Sequence, residues 1–261
     1  MLGAFAVVLC GAIACGGSDG SSDGGVAMKL AITARVGNHL IDGKGRSLYY
    51  FGKDVPVSGS NAAVSNCSGE CAAAWPAFHA GSAVFQGIQA NDVGEITRSD
   101  GSKQTTYRGW PLYFFSGDAK ARDINGEGVD SIWFVLREAP YSTALMSNAA
   151  GQQPDLYLSD GAGRSLYSFS QDTKGTATSD PISACTSAGC LANWPIFSTV
   201  EIVVPSALAI SDFTLFTRPD GQKQTAYKGH PLYFFAGDET AGETNGRGVN
   251  SQDTVDPRTA P

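Results

Sequence analysis

Residues 101–118 read GSKQTTYRGWPLYFFSGD, and residues 221–238 read GQKQTAYKGHPLYFFAGD. Two further blocks recur in the same order, at an offset of 118 to 120 residues. Residues 42–49, DGKGRSLY, return as DGAGRSLY at residues 160–167. Similarity at a nearly constant offset indicates that one structural unit occurs twice along the chain.

A shorter signature, Leu-Tyr-x-Phe-x-x-Asp, occurs twice within each copy. In a β-strand the Tyr and Phe, two residues apart, project from one face. The Asp follows where the strand should end and can accept hydrogen bonds from turn amides, so a structural role is favoured over ligand binding. The signature residues are Tyr49, Phe51, Asp54, Tyr113, Phe115, Asp118, Tyr167, Phe169, Asp172, Tyr233, Phe235 and Asp238.

The turn signals and short apolar runs predict an all-β fold with short helical turns only. We expect two tandem homologous β-meander modules, each sandwich-like or small-barrel-like. Residues 132–136 (IWFVL) read as a closing strand of the first copy, and the second copy shows no counterpart. The predicted segments are a signal at 1–15, a flexible tether at 16–28, module 1 at 29–138, a linker at 139–154 and module 2 at 155–261, its C-terminal strand missing.

Composition limits the class of partner. The net charge is −7, and the Lys and Arg residues form no run of like charge. Nucleic acid is therefore not expected as a partner.

The N-terminus predicts export. An apolar, small-residue-rich stretch ends at Ala12-Ile13-Ala14-Cys15, which resembles a bacterial lipobox whose cysteine becomes acylated. Cys15 is the expected lipidation site, and the membrane the expected partner through that anchor. Gly16, in place of a retaining aspartate, favours the outer membrane. An ordinary secretory signal without acylation remains the alternative, because no Lys or Arg precedes the apolar run.

Four further cysteines lie at matched positions in the two copies, which in an exported protein predicts disulfides Cys67–Cys71 and Cys185–Cys190. A redox or soft-metal site for copper or zinc is the alternative, although the spacing is not that of the usual Cys-x-x-Cys sites. No histidine is shared by the two copies, which excludes a duplicated histidine-dependent active site.

The acidic loop after the later signature is a weak calcium candidate, because alternating oxygen ligands with glycine suit such a site. Its residues in copy 1 are Asp118, Asp123, Asn125 and Asp130. Hydrolase, phosphate-loop and dinucleotide motifs are missing, which favours a protein that is not an enzyme.

The signature, the paired cysteines before Trp-Pro and the Asn-Gly-x-Gly-Val tails at 125–129 and 245–249 resemble a family of bacterial lipoproteins named for a Yx(F/W/Y)xxD motif, the secreted repeat of unknown function. The resemblance covers about residues 36–250 and implies envelope location, without implying an activity.

These observations favour a lipid-anchored, non-enzymatic envelope protein that acts as a scaffold or binding surface. Trp75 and Trp194 are its candidate contact aromatics for a protein or glycan partner. The alternative is an extracytoplasmic redox or metal-handling protein that uses the paired cysteines and the many Tyr and Trp residues.

Overall fold

A computed structural model describes residues 25–81, 84–148, 156–249 and 252–255. The predicted signal segment and Cys15 lie outside these residues. Strands dominate the described ranges, whose two α-helices of five and six residues are both too short to cross a membrane. The prediction of an all-β fold with short helical turns is confirmed.

Each copy contains one helix and several short strands. Copy 1 consists of β1 (Val26–Thr33), β2 (Gly37–Asp42), β3 (Tyr49–Phe51), α1 (Glu70–Ala74), β4 (Val84–Gln86), β5 (Val93–Thr97), β6 (Lys103–Tyr107), β7 (Trp110–Pro111) and β8 (Trp133–Val135). Copy 2 consists of β9 (Thr143–Met146), β10 (Tyr157–Asp160), β11 (Tyr167–Phe169), α2 (Ala188–Asn193), β12 (Phe213–Thr217), β13 (Lys223–Tyr227), β14 (His230–Pro231) and β15 (Gln252–Thr254).

The described strands form six small sheets, three in each copy. Copy 1 has the orders β2-β1-β4, β3-β8 and β5-β6-β7, and copy 2 has β10-β9, β11-β15 and β12-β13-β14. These sheets are smaller and more numerous than those of a two-sheet sandwich or a small barrel.

Local sequence explains why the helices stay short and why the hairpins turn where they do. Both helices end at a Trp that precedes a Pro, and proline disfavours the α conformation in the residue before it. The β5–β6 turn closes through a hydrogen bond from the Arg98 amide to the Ser102 carbonyl at 2.8 Å. Gly101 takes the positive φ of 84° that this turn requires.

The expectation that copy 2 lacks a closing strand is wrong. β15 pairs antiparallel with β11, with Phe169 opposite Gln252, just as β8 pairs with β3, with Phe51 opposite Trp133. Backbone pairing does not need the apolar residues that mark β8 in the sequence, so a polar segment occupies the same place.

Two predicted boundaries also change. β9 lies inside the predicted linker 139–154, where it pairs with β10 as β1 pairs with β2. All four of its side chains are buried, so this segment is part of copy 2. β1 begins at Val26, inside the predicted tether.

The later signature of each copy is less regular than a strand. Tyr113 makes isolated bridges to Tyr49 and Ala77, and Tyr233 makes the equivalent bridges to Tyr167 and Ile196. The proline before Leu112 and Leu232 lacks an amide hydrogen, which limits ladder pairing at that point.

The two copies pack against each other through aromatic side chains. The rings of Trp110 and Tyr141 lie 4.8 and 5.7 Å from that of Tyr50, with Tyr141 belonging to copy 2. The Trp110 indole donates to the Gly161 carbonyl across the seam at 2.9 Å. One hydrophobic core therefore continues from copy 1 into copy 2.

The corresponding face of copy 2 carries polar residues. Ser168 occupies the position of Tyr50, and His230 occupies that of Trp110. Copy 1 thus places aromatic residues at the seam where copy 2 has polar residues at the equivalent positions.

We expect Trp110→His, which installs the copy 2 residue, to lower the free energy of unfolding by about 2–4 kcal/mol. The variant loses a ring that is 3% exposed and its hydrogen bond to Gly161. Chemical denaturation measures the change. Val200→Ala, at a side chain that is 88% exposed, is the control and should stay within about 0.5 kcal/mol of the wild type. Equal stabilities of the Trp110→His variant and the wild type would contradict the described seam.

Candidate functional site

The two signatures of each copy are joined by reciprocal hydrogen bonds. The Tyr49 hydroxyl donates to Asp118 Oδ2 at 2.8 Å, and the Tyr113 hydroxyl donates to Asp54 Oδ2 at 2.6 Å. Each tyrosine therefore binds the aspartate of the other signature, not its own.

Copy 2 repeats the exchange. Tyr167 donates to Asp238 Oδ2 at 2.6 Å, and Tyr233 donates to Asp172 Oδ1 at 3.3 Å. The same arrangement in both copies identifies it as the organising contact of the repeat.

The backbone explains why the partners cross over. Tyr49 and Tyr113 exchange both backbone hydrogen bonds at 2.9 Å, so their segments run antiparallel at that pair. Each ring then extends past the opposing segment toward the aspartate that ends it. In each signature the Tyr precedes the Asp by five residues. Because the two segments run antiparallel, each Tyr reaches the Asp of the other segment.

Each signature aspartate also accepts a backbone amide, through the other carboxylate oxygen in Asp54, Asp118 and Asp238 and through the same oxygen, Oδ1, in Asp172. Asp54 Oδ1 accepts from Asn66 at 2.7 Å, and Asp118 Oδ1 accepts from Asn125 at 2.9 Å. Asp172 and Asp238 accept from the amides of Ala184 and Asn245. These aspartates hold distant loops against the tyrosine pair, as expected for structural carboxylates.

Burial changes the acidity of these carboxyl groups. Desolvation raises the pKa of Asp54 to about 7 and that of Asp172 to about 6, although their hydrogen bonds act in the opposite direction. Burial likewise raises the pKa of Asp118 and Asp238.

A buried arginine completes the polar network in each copy. Arg98 Nη1 donates to Ser65 Oγ at 2.6 Å, and Ser65 Oγ lies 2.7 Å from the Tyr113 hydroxyl. The chain thus runs from Arg98 through Ser65 and Tyr113 to Asp54.

In copy 2 the chain runs from Arg218 through Ser183 to Tyr233 and Asp172. Sequence reasoning missed both arginines. The available signal was the repeated Arg-x-Asp-Gly of residues 98–101 and 218–221.

The disulfides Cys67–Cys71 and Cys185–Cys190 are present, as predicted. Each is tied to the buried arginine, because Arg98 Nη2 donates to the Cys67 carbonyl at 2.5 Å and Arg218 Nη2 to the Cys185 carbonyl at 2.6 Å.

The prediction that Trp75 and Trp194 form an exposed contact surface is wrong. They are 5% and 3% exposed. Trp75 stacks on Trp133 at 3.8 Å and on Phe115 at 4.3 Å, and Trp194 lies 4.5 Å from Phe235. A Trp at the end of a one-turn helix packs inward here because the chain folds over it.

A close approach explains the first glycine of each Asn-Gly-x-Gly-Val tail. A Cβ on Gly126 would lie 2.6 Å from the Trp75 ring and 3.0 Å from Tyr49. A Cβ on Gly246 would lie 2.8 Å from Phe235. The tail can cover the aromatic rings only with glycine at this position.

The calcium candidate has its oxygens engaged by the protein itself. Asp118 binds Tyr49 and the Asn125 amide, and Asp123 Oδ2 accepts from the amides of Ala119 and Lys120. Asp130 is exposed. No group of three or more His, Cys, Asp or Glu residues placed to hold a metal ion occurs among the described residues.

Each copy presents an arginine stacked on a half-buried phenylalanine at the surface. The Arg46 guanidinium lies 3.7 Å from the centre of the Phe114 ring, and that of Arg164 lies 3.9 Å from the Phe234 ring. Arg46 is held by Asp42 at 2.8 Å.

The equivalent contact in copy 2 joins Arg164 and Asp160 at 2.8 Å. The two arginine–phenylalanine pairs line surface pockets of about 350 Å³ in copy 1 and about 170 Å³ in copy 2.

A family model described as a secreted repeat of unknown function matches residues 30–79, 94–137 and 214–254, more than half of the chain. The chain belongs to this family. No curated protein and no solved structure matches it. Membership in the secreted-repeat family and the two disulfides both indicate an extracytoplasmic location.

The secreted-repeat core should lose stability as the pH rises from acid to neutral. The folded state binds the Asp54 proton more tightly than the unfolded chain does, whose ordinary pKa is 3.8. The contribution of Asp54 is therefore complete below pH 3.8 and is lost as the pH rises through about 7. A rise of about three pKa units, at about 1.4 kcal/mol per unit, corresponds to an effect on the order of 4 kcal/mol.

Asp54→Asn should flatten this dependence, measured as the free energy of unfolding against pH. Asp172, Asp118 and Asp238 act in the same direction, so the slope falls without vanishing. Asp130→Asn, at an exposed site, is the matched control and should keep the wild-type slope. An unchanged slope in Asp54→Asn would contradict the assignment.

Proposed function

We propose that the protein is a lipid-anchored, non-enzymatic binding module of the bacterial cell envelope. Cys15, after small residues that fit a lipobox, is the proposed acylation site, and Gly16 favours the outer membrane.

The observation that carries the binding role is the duplicated arginine–phenylalanine pair, which lines a surface pocket in each copy although the other lining residues differ. Both copies place an arginine over a phenylalanine at corresponding positions and fix it with an aspartate from the same turn. Arginine and aromatic side chains contribute much of the binding energy at known interfaces. Two arginine–phenylalanine pairs in one chain can bind a repeating ligand with an avidity greater than either affinity.

The charges at the larger pocket favour an anionic glycan as the ligand. Lys44 and His79 line it beside Arg46, while Asp42 is already paired with that arginine and His79 contacts Glu95. The Phe78 and Phe114 rings supply apolar surface beneath these groups. Carboxylate-bearing sugars combine the two properties that this lining recognises.

The anchor is tested by Cys15→Ser in the full chain, expressed in a bacterium that acylates lipoproteins. We expect the wild type in the membrane fraction and the variant in the soluble extracytoplasmic fraction, because the variant lacks the cysteine that would carry the lipid. Mass spectrometry of the N-terminal peptide checks the lipid. Membrane retention of the variant would overturn the anchor.

The pocket is tested with polygalacturonate as the anionic probe and dextran as the neutral one. Arg46→Ala should weaken polygalacturonate binding about tenfold, or 1.4 kcal/mol. Arg46→Ala combined with Arg164→Ala should remove the avidity between the two pockets. Lys120→Ala, an equal loss of charge at an exposed site, is the control and should leave binding unchanged.

Thermal melting first checks that each variant is folded. Equal binding of both probes, or equal losses in the arginine and control variants, would overturn the glycan assignment. Capture of an envelope protein through the same arginines would replace the glycan with a protein partner.

A redox role is the second candidate function. It is favoured by one observation, the continuous contact of Tyr and Trp rings in copy 1.

A further inference from the structure

Four oxidisable rings form an unbroken series in copy 1. The ring centres of Tyr49 and Trp75 are 5.4 Å apart, those of Trp75 and Trp133 are 3.8 Å apart, and those of Trp133 and Tyr113 are 5.2 Å apart. The two indoles are parallel, with an interplanar angle of 0°. Every ring in the series is at most 5% exposed.

Both ends of the series carry a proton acceptor. Tyr49 donates to Asp118 at 2.8 Å, and Tyr113 donates to Asp54 at 2.6 Å. A tyrosine loses an electron far more readily when its phenolic proton can move to a hydrogen-bonded base. The reciprocal pairing that folds the repeat thus also provides each terminal tyrosine with a base.

Copy 2 has equivalent tyrosine–aspartate pairs at both ends, but the series of oxidisable rings between them is interrupted. Trp194 lies 5.5 Å from Tyr167 and 5.2 Å from Phe169, and Phe169 stacks on Tyr233 at 4.4 Å. The position of Trp133 is taken by Gln252. Phenylalanine is much harder to oxidise than tyrosine or tryptophan, so it does not relay an electron vacancy.

We propose that Tyr49, Trp75, Trp133 and Tyr113 form a path for electron vacancies that delivers one-electron oxidation to the tyrosine–aspartate pairs of copy 1. The oxidant is an oxidising radical of the carbonate radical class, which gains one electron and becomes carbonate. That electron leaves Trp75, whose radical cation is refilled through Trp133 from Tyr113. The phenolic proton of Tyr113 passes to Asp54 Oδ2, which leaves a neutral tyrosyl radical beside a carboxylic acid.

The cycle closes with a one-electron reductant, for which ascorbate is a suitable probe. The reductant returns the electron to the tyrosyl radical, and Asp54 returns the proton. The net result is transfer of one electron from reductant to oxidant, with the disulfides and the fold unchanged. This activity does not depend on the lipid anchor or on the surface pockets.

The experiment oxidises the full chain in detergent with flash-generated ruthenium(III) tris-bipyridine and follows the absorbance bands of tyrosyl and tryptophanyl radicals. A nitroso spin trap and peptide mass spectrometry then locate the radicals. We expect comparable tyrosyl radical at Tyr49 and Tyr167, because each lies next to its tryptophan. The yield at Tyr233 should be severalfold lower than at Tyr113.

Three variants separate a conducting series from ordinary core packing. Trp133→Phe should reduce the radical at Tyr113 severalfold, whereas Trp194→Phe, the matched change in copy 2, should leave Tyr113 unaffected. Asp54→Asn keeps the rings but removes the base, so the tryptophanyl radical should live longer while the tyrosyl yield at Tyr113 falls. Melting curves check that each variant is folded.

Gln252→Trp tests the converse, a gain in radical yield in copy 2. A tryptophan opposite Phe169 should complete the series in copy 2 and raise the radical yield at Tyr233. Equal radical yields at Tyr113 and Tyr233 in the wild type, or an unchanged yield at Tyr113 in folded Trp133→Phe, would overturn the proposal.

Discussion

The fold depends on the exchange of hydrogen bonds between the two signatures of each copy. Tyr49 and Tyr113 bind each other through the backbone and bind the opposing Asp118 and Asp54 through their side chains. A buried hydroxyl and a buried carboxylate would each cost free energy if left without a partner. Pairing them across the repeat satisfies both groups and fixes the register of two distant segments. The aspartates then hold the disulfide loop and the glycine-rich tail in place.

The sequence predicted the parts of this arrangement but not their connection. The fourfold signature, the duplicated cysteines and the turn signals were sufficient for the all-β class, the disulfides and a structural role of the aspartates. That Tyr49 pairs with Asp118 and not with Asp54 depends on which segments run side by side, and local patterns do not contain that information. Arg98 and Arg218 were missed because a buried arginine is rare and needs a polar network built from several distant residues.

Two errors have a common physical origin. Trp75 and Trp194 were interpreted as contact aromatics at the surface, and β15 was missed because its residues are polar. In both cases tertiary packing overrides local character. A glycine-rich tail lies against Trp75, and Trp194 packs on Phe235. Backbone pairing at a sheet edge accepts a polar strand. In sheets of two or three strands most strands lie at an edge. The hydrophobic pattern of a segment therefore says less about whether that segment forms a strand.

The different residues at the equivalent positions of copy 2 have a consequence for self-association. A head-to-tail contact between identical units can be extended indefinitely. Ser168 and His230 stand where copy 1 has Tyr50 and Trp110, so copy 2 does not repeat the aromatic contact through which copy 1 meets it. The contact between the two copies is therefore directional and does not propagate through these residues.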